Sequence, residues 1–196
     1  MLTAARMYES LRTLAQYLGQ RRTLLILGIM ELAILLLENT LDFPLSVPYL
    51  RRTTGQAYLD MCAFCSDARV YAVLDGLGPS GQALQGLLLV TVDIAIPAVS
   101  FLFGTALLGN LLHGRTAGDW RRWLLLAPLL ALALDLAENT AIALLLAQYP
   151  RRLPMLAAIA GLLSGLKFTA YFGVLVAAGA LVGGGWRRRQ AQGGMP

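Results

Sequence analysis

Six ionisable side chains stand inside runs that are otherwise apolar: Glu31, Glu38, Asp93, Asp135, Glu138 and Lys167. In hydrocarbon such a residue costs roughly 2.5–3.5 kcal/mol on insertion scales, and it turns to the interior of a helix bundle. Five acids against one base leave a surplus of negative charge that a dry interior does not tolerate. Either some carboxyls keep their protons, or a cation is bound, or water reaches them. Each option is a statement about function. The chemistry they share is the binding or translocation of a cation, of protons or of a small polar solute.

Spacing groups these residues. Asp135, Glu138 and Asn139 stand at i, i+3 and i+4, on one face of a helix. Glu31 and Glu38 are seven apart and share a face, with Asn39 beside them. Ser164, Lys167 and Tyr171 form a polar stripe. Pro97 follows Asp93 by four, so the carbonyl of residue 93 has no N–H partner within its helix. A free carbonyl beside a carboxylate suits a hard cation; the alternative is a packing kink with Asp93 bonded to a neighbouring helix. By depth, Glu31, Asp135 and Lys167 fall near the midplane and Glu38, Asp93, Glu138 and Asn139 toward the outer half. That predicts a polar centre fed by four helices and opening outward. The structural alternative for the whole set is an interhelical network, such as Lys167 with Asp135. Polar contacts of that kind average about 0.6 kcal/mol in membranes, and five acids exceed what gluing a bundle requires.

Other motifs carry less. Ser164-Gly165-Leu166-Lys167 fits S-x-x-K, in which a lysine activates a serine, but no oxyanion partner is evident. Cys62 and Cys65 form a C-x-x-C that a structural disulfide or two packed thiols explain. Quinone-linked thiol oxidases relay electrons between two cysteine pairs, and this chain has one. A zinc site needs more ligands than these, and the lone His113 falls at the opposite side. Gly161 and Gly165 make a G-x-x-x-G, read as close helix packing.

The elements that must position these groups follow from composition. Of 196 residues, 57% are apolar and 14% charged, with mean hydropathy +0.63. Soluble domains carry about 45–50% and about 25%. An ordinary soluble domain, a disordered chain and a nucleic-acid-binding module are thereby excluded. Apolar runs of bilayer length need roughly 20 residues, and four are expected, at about 23–41, 84–112, 124–147 and 154–182. Pro154 suits the first turn of a helix. The fold class is all-α: a single polytopic membrane domain of four transmembrane helices. Residues 1–22 are expected as an interfacial amphipathic helix, or a helical lead-in, with Tyr8, Leu11, Ala15 and Leu18 on one face. Residues 42–83 form an outer loop, and 183–196 a cytoplasmic tail. Within the loop, Val70, Val73, Leu74 and Leu77 follow a Ser66 or Asp67 cap and end at Gly78-Pro79, predicting a short helix that caps the bundle.

The net charge is +5, and every base except Lys167 is arginine. Arg6, Arg12, Arg21, Arg22, Arg115, Arg121, Arg122 and Arg187–Arg189 fall on one side of the four spans. Arg51, Arg52, Arg69, Arg151 and Arg152 fall on the other. The positive-inside rule then places both termini in the cytoplasm; the paired arginines also suit anionic headgroups. Glu38-Asn39-Thr40 is echoed at Glu138-Asn139-Thr140, which chance or two tandem hairpins would explain.

The run Asp135-Leu-Ala-Glu138-Asn139, the stretch Tyr58-Leu-Asp60 and the segment Tyr71–Gly78, set among four spans, resemble an uncharacterised group of small bacterial four-helix integral membrane proteins, over about residues 55–180. The resemblance implies the fold and a bacterial cytoplasmic membrane, and carries no activity. Three functions stay open: handling of a cation, protons or a polar solute, with the cofactor unknown and a bound cation its one candidate; a lipid-acting enzyme with a carboxylate acid/base; and a structural or assembly subunit. The bilayer is the expected partner, with a second copy or a membrane protein as further candidates and nucleic acid excluded.

Overall fold

A computed structural model describes residues 2–113 and 120–193, with side chains described over 6–113 and 123–184. Arg115, Arg121, Arg122 and Arg187–Arg189, on which the expected orientation partly rests, lie outside the described side chains. The fold is all-helical, with no strand among the described residues: α1 Leu2–Leu18, α2 Arg21–Thr40, α3 Val47–Thr54, α4 Asp67–Leu112, α5 Ala127–Gln148 and α6 Pro154–Gly193, with 3-10 turns at Leu59–Met61 and Trp120–Leu126. Four helices are long and apolar enough to span a membrane: Arg21–Thr40, Asp67–Leu112, Trp123–Gln148 and Pro154–Gly184.

The second of these is longer than its apolar run because two helices join end to end at Gly78, with φ 62° and ψ 178°. That backbone region is essentially glycine's alone. Pro79 follows it, in the first turn of the second part, where a missing N–H costs nothing. The first part starts at Ser66, whose hydroxyl accepts the N–H of Arg69 at 3.3 Å.

The pattern in residues 42–83 predicts one helix; the structure adds α3 and the 3-10 turn Leu59–Met61. Ser46 caps α3 by accepting the N–H of Tyr49 at 3.2 Å, and Gly55 closes it with φ 71°. Apolar side chains of this segment, Leu50, Tyr58 and Leu59, pack with Val73, Leu74, Leu88, Ile142 and Leu145 into the larger core cluster. The segment between α2 and α4 is therefore part of the core rather than a lid laid over it.

α4, α5 and α6 pack on one another as a three-helix centre, while α2 rests on α4 and α3. Only 11% of the α2 apolar window is buried, against 28–39% for the other three. α1 is fastened to the far end of α4. Leu11 and Ala15 are buried, a side chain on Gly109 would run into Ala15, and Asn110 Nδ2 donates to the carbonyl of Gly19 at 2.8 Å.

Candidate functional site

At the centre lies Lys167, 2% exposed on α6. A helical side chain leans toward the N-terminus of its helix, so the ammonium rises toward the end of the bundle that carries α3. There it meets three carboxylates from two other elements. Glu138 Oε2 of α5 lies 2.6 Å away and Asp135 Oδ2, one turn below, at 3.9 Å. Asp60, on the 3-10 turn, forms the third ion pair. The suggested pairing of Lys167 with Asp135 is present, as the longest of the three. The closer partners are Glu138 and Asp60, because the lysine points toward the 3-10 turn.

Asp60 is held from both sides. Ser164 Oγ, one turn before Lys167, donates to the Asp60 carbonyl at 3.0 Å. On α4, Gln85 Oε1 accepts the N–H of Leu59 at 3.3 Å, and Asp93 accepts the Tyr58 hydroxyl in a buried contact. Ser164 spends its hydroxyl on a main-chain carbonyl, and Lys167 is engaged by carboxylates. The S-x-x-K pair is therefore not arranged as a nucleophile and its base.

Asn139 has a specific task. Its Nδ2 donates to the carbonyl of Asp93 at 2.9 Å and to Asp135 Oδ1 at 3.2 Å. The Asp93 carbonyl is the one that Pro97 leaves without an intrahelical donor. An amide from α5 fills that role, so the carbonyl that Pro97 frees is hydrogen-bonded to a neighbouring helix. Tyr171, in the α6 stripe, donates to Asp135 Oδ2 at 3.0 Å.

Five of the seven residues singled out from sequence thus meet directly: Asp93, Asp135, Glu138, Asn139 and Lys167. Glu38 is also buried. Its Oε2 accepts from Asn39 Nδ2 at 3.2 Å, and it lies within electrostatic range of Asp60, Asp135 and Lys167. Glu31 stands apart: half-buried on α2, it accepts from Ser100 Oγ of α4 at 2.6 Å. The echoed tripeptides differ in context, since Asn39 is exposed and bonds locally to Leu35 and Glu38, whereas Asn139 bridges two helices.

Sequence reasoning missed Asp60 and Tyr58 as site residues. The signal was an acid between Leu59 and Met61 in a stretch otherwise short of hydrophobic periodicity. The expected outward opening is also corrected: Tyr58, Leu59 and Asp60 sit over the acids and close the centre from the α3 end. Several buried polar atoms have no hydrogen-bond partner, among them Gln85 Nε2, Glu138 Oε1 and Asn139 Oδ1.

Cys62 and Cys65 are joined by a disulfide. The loop it closes lies on α6, where the N–H of Phe64 donates to the carbonyl of Gly161 at 2.8 Å. A side chain at Gly161 would strike the backbone of Cys65, and one at Gly165 the ring of Phe64. The two glycines make room for this loop, which corrects their expected role in helix–helix packing. Among the described residues, no group of three or more His, Cys, Asp or Glu side chains is placed to hold a metal ion.

Compared with protein-family models, with curated proteins and with solved structures, the chain matches none.

Proposed function

We propose that this chain is an integral protein of a bacterial cytoplasmic membrane whose buried carboxylate–lysine cluster binds and releases protons, as the charge-handling step of translocating a proton or a small polar solute. The observation that carries the proposal is the sharing of one buried ammonium, that of Lys167, among Asp60, Glu138 and Asp135, with Asp93 and Glu38 buried nearby. The acids outnumber the base, and buried like charges are relieved by taking up protons. The proton is favoured over a metal cation by the lack of a metal-ligand group among the described side chains. A lipid-acting enzyme is disfavoured because its carboxylate must meet the lipid, and Glu138 is 0% exposed.

The orientation with both termini cytoplasmic draws support from the disulfide. Disulfides persist in oxidising compartments, which suits a loop on the outer side. The amphipathic role of α1 belongs to the same picture, as does the likeness to small bacterial four-helix membrane proteins. A second reading, assembly with a partner, rests on the sparsely covered apolar face of α2.

The test is the melting temperature of the purified protein in detergent across pH and a panel of monovalent and divalent cations, for wild type and for Asp135→Asn/Glu138→Gln. Selective binding to the folded state raises the melting point with occupancy. A pH-specific shift in wild type that vanishes in the variant supports proton binding. A flat response in both removes it, and dissociation from a co-purifying protein on dilution would turn the choice to the assembly subunit.

A further inference from the structure

We infer that the Cys62–Cys65 disulfide is a redox site that locks the segment Tyr58–Cys65 over the acidic centre, and that reduction by an external dithiol releases Asp60 from Lys167. The inference deepens the proton-binding proposal and rests on it only for what release would accomplish.

The geometry is local and specific. Phe64 adopts φ 54° without being glycine, a conformation that persists only where its surroundings over-determine it. Three things hold it there. The disulfide closes a ring around it, its N–H is fixed on Gly161, and its ring lies against Gly165. The adjoining residues dock on the same stripe of α6: the Asp60 carbonyl on Ser164 and its carboxylate on Lys167. Gly161, Ser164, Gly165 and Lys167 thus form one seat for both the disulfide ring and the acid. Opening the ring lets Phe64 leave the left-handed region, which withdraws its N–H from Gly161 and loosens the neighbouring hold on Asp60.

The site is open to chemistry. Cys62 and Cys65 are half-buried, between Met61 and Phe64, which are exposed. A thiolate of the external dithiol attacks one sulfur, breaking the Cys62–Cys65 bond and forming a mixed disulfide. The donor's second thiolate then displaces the remaining cysteine. The donor leaves as a disulfide, and Cys62 and Cys65 gain two electrons and two protons.

The experiment is amide hydrogen exchange read by mass spectrometry on the full chain in detergent. It compares the oxidised protein with the same protein reduced by a phosphine, reduction being verified by a two-dalton mass gain. Reduction is expected to raise exchange in residues 58–65 about tenfold or more while the four long helices keep their protection. Cys62→Ser/Cys65→Ser should behave as the reduced protein without reductant. Phe64→Gly, which accepts the left-handed backbone without strain, should shrink the response. Unchanged exchange after verified reduction, loss of protection along every helix, or an undiminished response in Phe64→Gly would each overturn the lock. Release of the segment with no pH-dependent melting would keep the lock and remove the proton proposal; the reverse pair of results would do the opposite.

Discussion

Lys167 of α6 and Asp60 of the 3-10 turn, 107 positions apart in sequence, form an ion pair, its lysine fully buried and its acid partly so, that joins the segment between α2 and α4 to the last helix. The ammonium is shared with Glu138 and Asp135, so removing the lysine strands three acids at once. Breaking a buried pair by deleting one partner costs about 3–5 kcal/mol. Lys167→Met is expected to lose stability in that range, measured by chemical unfolding in detergent. Adding Asp60→Asn to it should recover part of the loss, because one stranded charge is gone. An additive double variant would show that the two side chains do not interact.

Gly161→Ala should destabilise the protein by about 1–3 kcal/mol, the usual penalty for forcing atoms into a filled space, since the new Cβ meets the backbone of Cys65. Gly173→Ala and Gly179→Ala meet nothing within 4 Å on the same helix and should be neutral or slightly stabilising. Thermal melting of the three variants side by side checks this, and equal melting points would refute the docking of the disulfide loop on Gly161.

Asn139 and Pro97 should be energetically coupled. Asn139→Leu leaves the Asp93 carbonyl without its donor, a loss of about 1–3 kcal/mol. With Pro97→Ala in place, residue 97 regains an N–H for that carbonyl, and Asn139→Leu should then cost less. A double-mutant cycle on unfolding free energies measures the difference; a coupling indistinguishable from zero contradicts it.

Outside the spans, Tyr149 donates to Asp75 Oδ1 at 2.9 Å, and Arg152 pairs with Asp75 Oδ2 at 2.7 Å. The hydrogen bond to Asp75 holds the phenol above its ordinary value. A group raised on folding contributes stability below its unfolded value, near pH 10, and loses it as pH rises through the folded one. Difference ultraviolet titration of wild type against Asp75→Asn should therefore show one tyrosine ionising earlier in the variant. Superimposable curves would mean that the contact does not persist in solution.

The four helices long and apolar enough to span a membrane were legible because bilayer thickness asks for a length and a polarity that few other constraints imitate. The interior acids were legible for the same reason, as each is an exception its helix must justify. Asp60 was not. It lies in a segment with enough polar residues that one more acid raises no question, and its partner is more than a hundred residues away. Gly161 and Gly165 have the spacing of a helix-packing motif, and nothing in that spacing distinguishes a helix from a disulfide loop as the neighbour. The carbonyl freed by Pro97 was readable, but only the packing of α5 on α4 supplies Asn139 as the donor.

The distance in sequence between Asp60 and Lys167 also orders the assembly of the protein. A chain is made from its N-terminus, so Asp60 leaves the ribosome before α5 and α6 exist. Until residue 167 is inserted, the acid has no base to meet. The loop to be closed is long, and its closure costs entropy that only the finished contacts return. The contacts of Asp60 with Lys167 and Ser164 therefore form only once α6 is in place, after Tyr58 and Leu59 have met their partners on α4. A product truncated before α6 keeps the α4 partners of Tyr58 and Leu59 and leaves Asp60 without its lysine, so the missing helix is felt at a single carboxylate.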